Sequence, residues 1–210
     1  MKRPSPNIVT RFLDICFASA GLLVFLPFGI LIAIWIKLDS RGPVFYKQVR
    51  VGKNGKDFRL IKFRSMSSGS DKKGLLTVGG NDSRITSAGS ILRKYKVDEI
   101  PQLMNVLTGD MSMVGPRPEV RKYVQLYTEE QKQILKVKPG ITDLASITYK
   151  NENEMLAGSL DPEQTYIQYI LPHKIQLNMN YINNPSLQNY FSITLKTISR
   201  VFFKRSAHAG

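Results

Sequence analysis

The chain has 210 residues, 30 Lys and Arg against 16 Asp and Glu, a formal net charge of +14 and a single cysteine. That length suits one domain with a sizeable core, and the charge calls for an anionic partner: nucleic acid, an anionic membrane surface or a phosphorylated substrate. Lone Cys16 excludes an internal disulfide and fits a reducing compartment; His173 and His208 lack metal-ligand spacing, and neither a GxxxxGK loop nor a GxGxxG fingerprint occurs.

No charge occurs between Asp14 and Lys37. As one straight helix that run would cover about 33 Å, enough for a hydrocarbon core of about 30 Å. It is too long, and lacks the small-residue cleavage site, for a signal peptide. Pro27 at its centre should break or bend the helix. Basic residues flank both ends, with Lys2, Arg3 and Arg11 before and Lys37, Arg41, Lys47 and Arg50 after. Because such residues favour the cytoplasmic side, the pattern predicts a re-entrant membrane helix over 8–38 with both ends on one face.

Gly42-Pro43 closes that element, and Phe45, Val49 and Val51 then alternate with polar residues. Asn54-Gly55 is a strong hairpin signal, with a return strand predicted over 56–64. Strand period would set Lys62 and Arg64 on one face, either as a solvated basic edge or as a phosphate-facing pair. Residues 67–83, rich in Ser, Gly, Asp and Lys, read as a mobile loop. Ser87 or Ser90 would cap a short helix that carries Arg93 toward the next turn.

Ile100, Leu103, Met104 and Leu107 fall at helical spacing, which predicts a helix starting at Asp98, with Asp98 as its N-cap. Glu99 and Pro101 would occupy the first turn, where a missing N–H is harmless. Two adjacent carboxylates need cations or a metal to stay ionised, and Arg93 and Arg117, the latter between Pro116 and Pro118, supply charge. Further helices are predicted over 119–127 and from a Thr128–Gln131 capping box to about Lys138. Pro162 opens another that Pro172 should interrupt, and Asn183-Asn184-Pro185 marks a break. The last segment, 190–205, is amphipathic, setting Phe191, Leu195, Ile198 and Phe202 against Lys196, Arg200, Lys204 and Arg205. It suits either a membrane interface or the protein's own core. The whole is α+β and mostly helical, one domain over 1–210 with no internal repeat.

The run DEIPQLMNVLTGDMSMVGPRPE, with GPVFYKQ, FRLIKFRSM and KPGIT at compatible spacings, resembles the bacterial monotopic phosphoglycosyl transferases, or sugar transferases. The similarity covers about Arg11 to Gly140 and is closest to members made of the catalytic domain alone. It implies a re-entrant membrane helix, a catalytic part over 39–210, and location at the cytoplasmic face of the bacterial inner membrane. It also implies transfer of a sugar-1-phosphate from a nucleotide diphosphate sugar to a polyprenyl phosphate among the membrane phospholipids. Asp98 would be the nucleophile, forming an acyl-phosphate intermediate, and Glu99 would serve metal coordination or proton transfer. Magnesium is the implied cofactor at Asp98 and Glu99, with Arg93, Arg117, Lys62 and Arg64 holding phosphates.

Two departures stand out. The family often has Ser before the helix proline, where this chain has Leu26, and often Gly-Trp-Ala-Gln after Gly-Ile-Thr, where it has Asp143-Leu144-Ala145-Ser146. Glu152 and Glu154, beyond that point, read as substrate contacts or as solvated charges. The competing function is a basic membrane-anchored module for anionic lipid or nucleic acid. Two carboxylates inside the basic surround argue against a nucleic-acid partner, since acids weaken phosphate-backbone binding. A homodimer is compatible with the chain, whose sequence does not set its oligomeric state.

Overall fold

The computed structural model describes residues 8–70, 74, 76–79 and 82–202, with the side chains of 200–202 left out. Lys2, Arg3, Lys204 and Arg205 therefore lie outside the described residues. α1 is a single helix, Ile8–Asp39. It runs unbroken through Pro27: a proline removes one N–H, whereas ending the helix in an apolar run would strand several carbonyls. Its outer face leaves Leu23, Val24, Leu31 and Leu38 exposed. Its inner face is fastened along its length. Arg11 donates to the carbonyls of Val106 (2.6 Å) and Leu107 (2.9 Å). Buried Asp14 accepts from Met113 N, Ser112 Oγ and Tyr190 Oη at 2.9–3.1 Å. Phe25 and Ile36 pack on Phe63, and Asp39 accepts from Ala88 N at 3.2 Å. Both ends of α1 thus rest on the same protein body.

β1 (Phe45–Val51) and β2 (Asp57–Phe63) pair antiparallel in the register Phe45↔Phe63 to Val51↔Asp57. Asn54 (φ 58°) and Gly55 (φ 74°) take the positive φ that a tight hairpin turn requires. The other edge of β2 is closed by a side chain. Asn105 accepts from Ile61 N (3.0 Å) and donates to Arg59 O (2.8 Å), which clips β2 to α3 (Gln102–Thr108).

α2 (Ser87–Lys94) is capped by Thr86, which accepts from Gly89 N, rather than by Ser87 or Ser90. The predicted Asp98 N-cap does not form either. Lys96 turns left-handed (φ 58°), and Glu99 N and Ile100 N bond back three residues to Lys96 O and Val97 O. The chain tightens into a 3₁₀ turn, Val97–Glu99, and α3 begins only after Pro101, so Asp98 sits inside the turn.

β3 (Ser112–Val114) pairs in parallel with β4 (Gly140–Thr142). A Cβ on Gly140 would lie 2.1 Å from Gly115 N, so only glycine allows the two backbones this approach. The intervening helix is shorter than predicted: α4 spans Arg121–Val124. The Thr128–Gln131 capping box forms, with reciprocal bonds of 3.0 and 3.2 Å, but it opens a 3₁₀ segment, Gln131–Lys136. α5 (Leu144–Thr148), α6 (Glu152–Ala157) and α7 (Pro162–Thr165) follow. A π-helical turn, Tyr166–Ile170, joins α7 to α8 (Leu171–Asn183). Pro172 therefore does not interrupt the helix; the wider turn before it absorbs the missing N–H. The break at 183–185 is present, and α9 runs Leu187–Phe202. α9 has a dual character: Tyr190 and Ile193 are buried on Val114, while Leu195 and Ile198 stay exposed.

The largest core cluster lies between β1, α4 and α8, with Tyr123, Tyr127, Ile134, Tyr166 and Ile175 buried in it. The described part of the polar loop is tied down, because Leu76 joins that core and Arg84 donates to the carbonyls of Gly74 and Leu76. The fold is mostly helical with few strands and one long apolar N-terminal helix, as expected from the sequence.

Candidate active site

Asp98 and Glu99, neighbours in sequence, meet opposite surroundings. Asp98 is 5 % exposed and its Oδ1 has no hydrogen-bond partner, the only buried carboxylate oxygen so placed among the described residues. Glu99 is committed on both oxygens. Lys62 Nζ donates to Oε1 at 3.0 Å, Arg117 Nη1 donates to Oε2 at 3.2 Å, and Arg117 Nη2 also donates to Oε1. Such a two-pronged guanidinium–carboxylate pair fixes both partners in one plane.

Three separate elements deliver these groups. β2 carries Lys62, and the Asn105 clip holds that strand against the helix that follows the Asp98–Glu99 turn. β3 runs into Pro116-Arg117-Pro118, and pairing with β4 places Asp143 beneath it, where Asp143 Oδ2 accepts from Arg117 N at 2.9 Å. Arg93, in the last turn of α2, donates to Thr77 Oγ1 at 3.0 Å, and its charge acts on Asp98.

Burial pushes the Asp98 carboxyl up, and the Glu99 charge adds to the rise against the pull of Lys62 and Arg93. Burial would raise Glu99 as well, but the Arg117 and Lys62 charges overcome it and hold Glu99 well below the usual carboxylate range. Burial lowers the Lys62 ammonium, with Glu99 opposing. The Glu99 charge raises the Arg117 guanidinium further. One carboxylate is thus locked as an anion within a cationic clamp. Its neighbour carries a buried oxygen with no hydrogen-bond partner, so the two carboxylates differ in what they leave free. Arg117 keeps 30 % of its side chain exposed, so the clamp remains open to a ligand.

Of the six residues singled out from sequence, the structure gathers Asp98, Glu99, Lys62, Arg117 and Arg93. Arg64 goes elsewhere. The strand ends at Phe63, so the alternation that paired Arg64 with Lys62 stops one residue short. Arg64 is 4 % exposed, and its guanidinium donates to the carbonyls of Ile36 (3.1 Å), Ser40 (2.7 Å) and Arg41 (2.5 Å). It closes the C-terminal end of α1, whose last carbonyls have no partner within the helix. Glu152 pairs with Lys174 at 2.9 Å, and Glu154 is exposed.

Three residues escaped the sequence reading. Arg50 donates to Pro118 O at 3.0 Å, Asp143 holds the Arg117 backbone, and buried Gln102 leaves its amide Nε2 unpartnered beside the Asp98 turn. Gln102 stood inside the quoted motif; Arg50 and Asp143 had no local signal, because their partners lie 68 and 26 residues away.

The pattern of the family described as "Bacterial sugar transferase" matches residues 5–204. The chain is 37% identical over 203 residues to a UDP-N-acetylgalactosamine-undecaprenyl-phosphate N-acetylgalactosaminephosphotransferase of Aeromonas hydrophila, covering 94% of this chain and 45% of that protein. It is 33% identical to the UDP-glucose:undecaprenyl-phosphate glucose-1-phosphate transferase of Escherichia coli strain K12, over 96% of this chain and 42% of that protein. With the exopolysaccharide production protein ExoY of Rhizobium meliloti it shares 32% identity, over 98% of this chain and 91% of ExoY. The chain therefore spans less than half of the first two relatives and nearly all of the third. With the motif, the paired carboxylates and a match along almost its whole length, this chain belongs to the bacterial sugar transferase family.

Proposed function

We propose that this protein transfers a sugar-1-phosphate from a UDP-sugar to undecaprenyl phosphate, beginning assembly of a surface glycan. The observation that carries this reading is the unpartnered, buried Asp98 Oδ1 beside a Glu99 already held by Arg117 and Lys62. Asp98 Oδ1 attacks the sugar-linked phosphorus. The bond from that phosphorus to the bridging oxygen breaks, and UMP leaves with the electron pair. An oxygen of the polyprenyl phosphate then attacks the same phosphorus and displaces the Asp98 carboxylate, regenerating the enzyme. One difficult transfer becomes two displacements at a single residue. Arg117, Lys62 and Arg93 neutralise the charge that gathers on the diphosphate.

Magnesium fits this site as a hard cation shared with substrate. No group of three or more His, Cys, Asp or Glu among the described residues forms an all-protein cage. The Asp98 and Glu99 carboxylates would instead hold the ion together with substrate phosphates, leaving Asp98 Oδ1 to the attack. When bound, it would shield the two negative groups from each other. Glu99 would be a ligand to it, since a carboxylate kept ionised by Arg117 and Lys62 suits a metal ligand better than a proton donor.

α1 is apolar enough to cross a membrane, and only 6% of its most apolar window is buried in protein. With both ends fastened to one body, α1 keeps both on the same, cytoplasmic side, where a soluble UDP-sugar and a lipid phosphate meet. Cysteines introduced as Ser5→Cys and Lys47→Cys in a Cys16→Ser background should show equal protection from an impermeant thiol reagent outside intact cells. Labelling of the first alone would put the two ends on opposite sides.

The chemical reading is tested with the wild-type protein, magnesium and a panel of UDP-sugars without lipid acceptor. Mass spectrometry should find one sugar-phosphate adduct on the peptide containing Asp98, discharged when undecaprenyl phosphate is added. UMP release with no adduct, or an adduct on Glu99, would overturn the assignment of the nucleophile.

A further inference from the structure

Resting on that reading, a second layer lies behind the clamp. The Pro116-Arg117-Pro118 segment has one main-chain donor, the N–H of Arg117, because prolines have none. That N–H is given to Asp143 Oδ2 at 2.9 Å. The same oxygen accepts from Asn178 Nδ2 at 2.7 Å, and Asp143 Oδ1 accepts from Ser146 N at 2.5 Å. Asp143 is 2 % exposed and Asn178 4 %. Pro118 is flanked on its other side by Glu119, whose Oε1 accepts from Tyr166 Oη at 2.5 Å and lies 3.8 Å from Lys174 Nζ. Lys174 and Asn178 are four residues apart, on one face of α8. One helix face therefore grips the chain on both sides of Pro118.

We infer that α8 is the positioning element of the phosphate clamp, with Asp143 and Asn178 as positioning residues for Arg117. Asp143 touches no reacting atom. It fixes the backbone from which the Arg117 fork reaches Glu99, and Asn178 fixes Asp143. The proline-framed arginine is held by more than its prolines: Asp143 takes its N–H, while Pro116 O accepts from Gly140 N and Pro118 O from Arg50, each at 3.0 Å. The inference also gives a role to the stretch after Thr142 in which this chain departs from the usual family pattern: a buried carboxylate stands there and needs three donors. All three are present.

The test is a double-mutant cycle on UMP release, run with the 210-residue chain in membranes. Asp143→Asn keeps the size but turns one of the accepting oxygens into an amide nitrogen, so at least one of its three donors faces another donor. It should lower kcat/KM by about 10- to 100-fold, the range expected when a supporting hydrogen bond is lost behind a functional group. In an Arg117→Lys background, where the fork is already gone, the same change should cost less than about twofold. Asn178→Ala should follow the same pattern with a smaller loss and provides the cycle if Asp143→Asn fails to fold. Equal losses in both backgrounds, or wild-type kinetics in either single variant, would overturn the inference. A wild-type protein that releases no UMP from any UDP-sugar would overturn the proposed function itself, a result the cycle cannot be confused with.

Discussion

Two carboxylate-centred clusters sit on either side of Pro118, built from the same kinds of residue. Around Glu119, Arg50, Tyr166 and Lys174 supply partners at 3.5, 2.5 and 3.8 Å, and Lys174 also binds Glu152. Around Asp98 and Glu99, Lys62 and Arg117 satisfy one carboxylate and leave an oxygen of the other bare. The first cluster is compensated throughout, as burial of charge demands. The second is compensated by half. Burial of charge with full compensation builds a scaffold; burial with one oxygen left over leaves lone pairs that no group of the protein occupies. The difference lies in the count of donors rather than in residue type.

If that contrast holds, substitutions in the two clusters should separate activity from stability. Asp98→Asn should have the largest kinetic effect, a loss of UMP release of about a thousandfold or more, since it removes the anionic oxygen that the proposed mechanism uses for attack. It should fold at least as well as the wild type at neutral pH. A buried carboxyl whose pKa is raised favours the folded state when protonated, and that advantage is lost as pH rises through the folded value. A neutral amide escapes this loss, so the gap in melting temperature between variant and wild type should narrow as pH falls toward the ordinary carboxylate range. Glu99 has the opposite sign: its depressed pKa contributes stability present above the ordinary value and lost only at lower pH. A variant that melts well below the wild type at pH 7 would mean that Asp98 is structural.

Arg117→Lys comes next. The charge stays but the fork goes, so Glu99 loses one of its contacts and the diphosphate loses planar recognition. Turnover should fall by about a hundredfold with little change in melting temperature; near wild-type kinetics would make Arg117 a surface cation. Glu119→Gln should invert the pattern and have the smallest effect on chemistry. Removing one charge from a buried pair costs about 3 kcal/mol, or roughly 6–12 °C in melting temperature for a domain of this size. Turnover well below melting should fall by less than about tenfold. A Glu119 variant that kept its melting temperature would place the compensated cluster at the surface in solution.

Much of the site was legible in the sequence because its signals are local. Two adjacent carboxylates, an arginine framed by prolines and an uncharged run flanked by bases can each be read within a few residues. The misreadings arose where a remote group decided a local shape. Asp98 looked like an N-cap because the apolar spacing after it is helical; the left-handed Lys96 and the 3₁₀ bonds around it override that spacing. Arg64 looked like a partner of Lys62 because strands alternate. The open carbonyls at the end of α1, more than twenty residues earlier in the chain, claimed it first. Pro172 looked like a stop, and a π-helical turn absorbed it.

Composition and pattern alone determined that this is a basic, mostly helical chain with one long apolar helix and a carboxylate pair among cations. These follow from side-chain chemistry and from periods of two and 3.6, which need no knowledge of distant contacts. Only the tertiary structure decided which carboxylate is free, since that depends on donors brought from β2 and from the segment after β3, which Asp143 after β4 holds in place. The parallel pairing of β3 with β4, possible because Gly115 and Gly140 carry no Cβ, brings Asp143 under Arg117 and so aims the clamp at Glu99 rather than Asp98. Hydrogen-bond capacity is a property of each residue, whereas the allotment of donors to acceptors is a property of the packed whole.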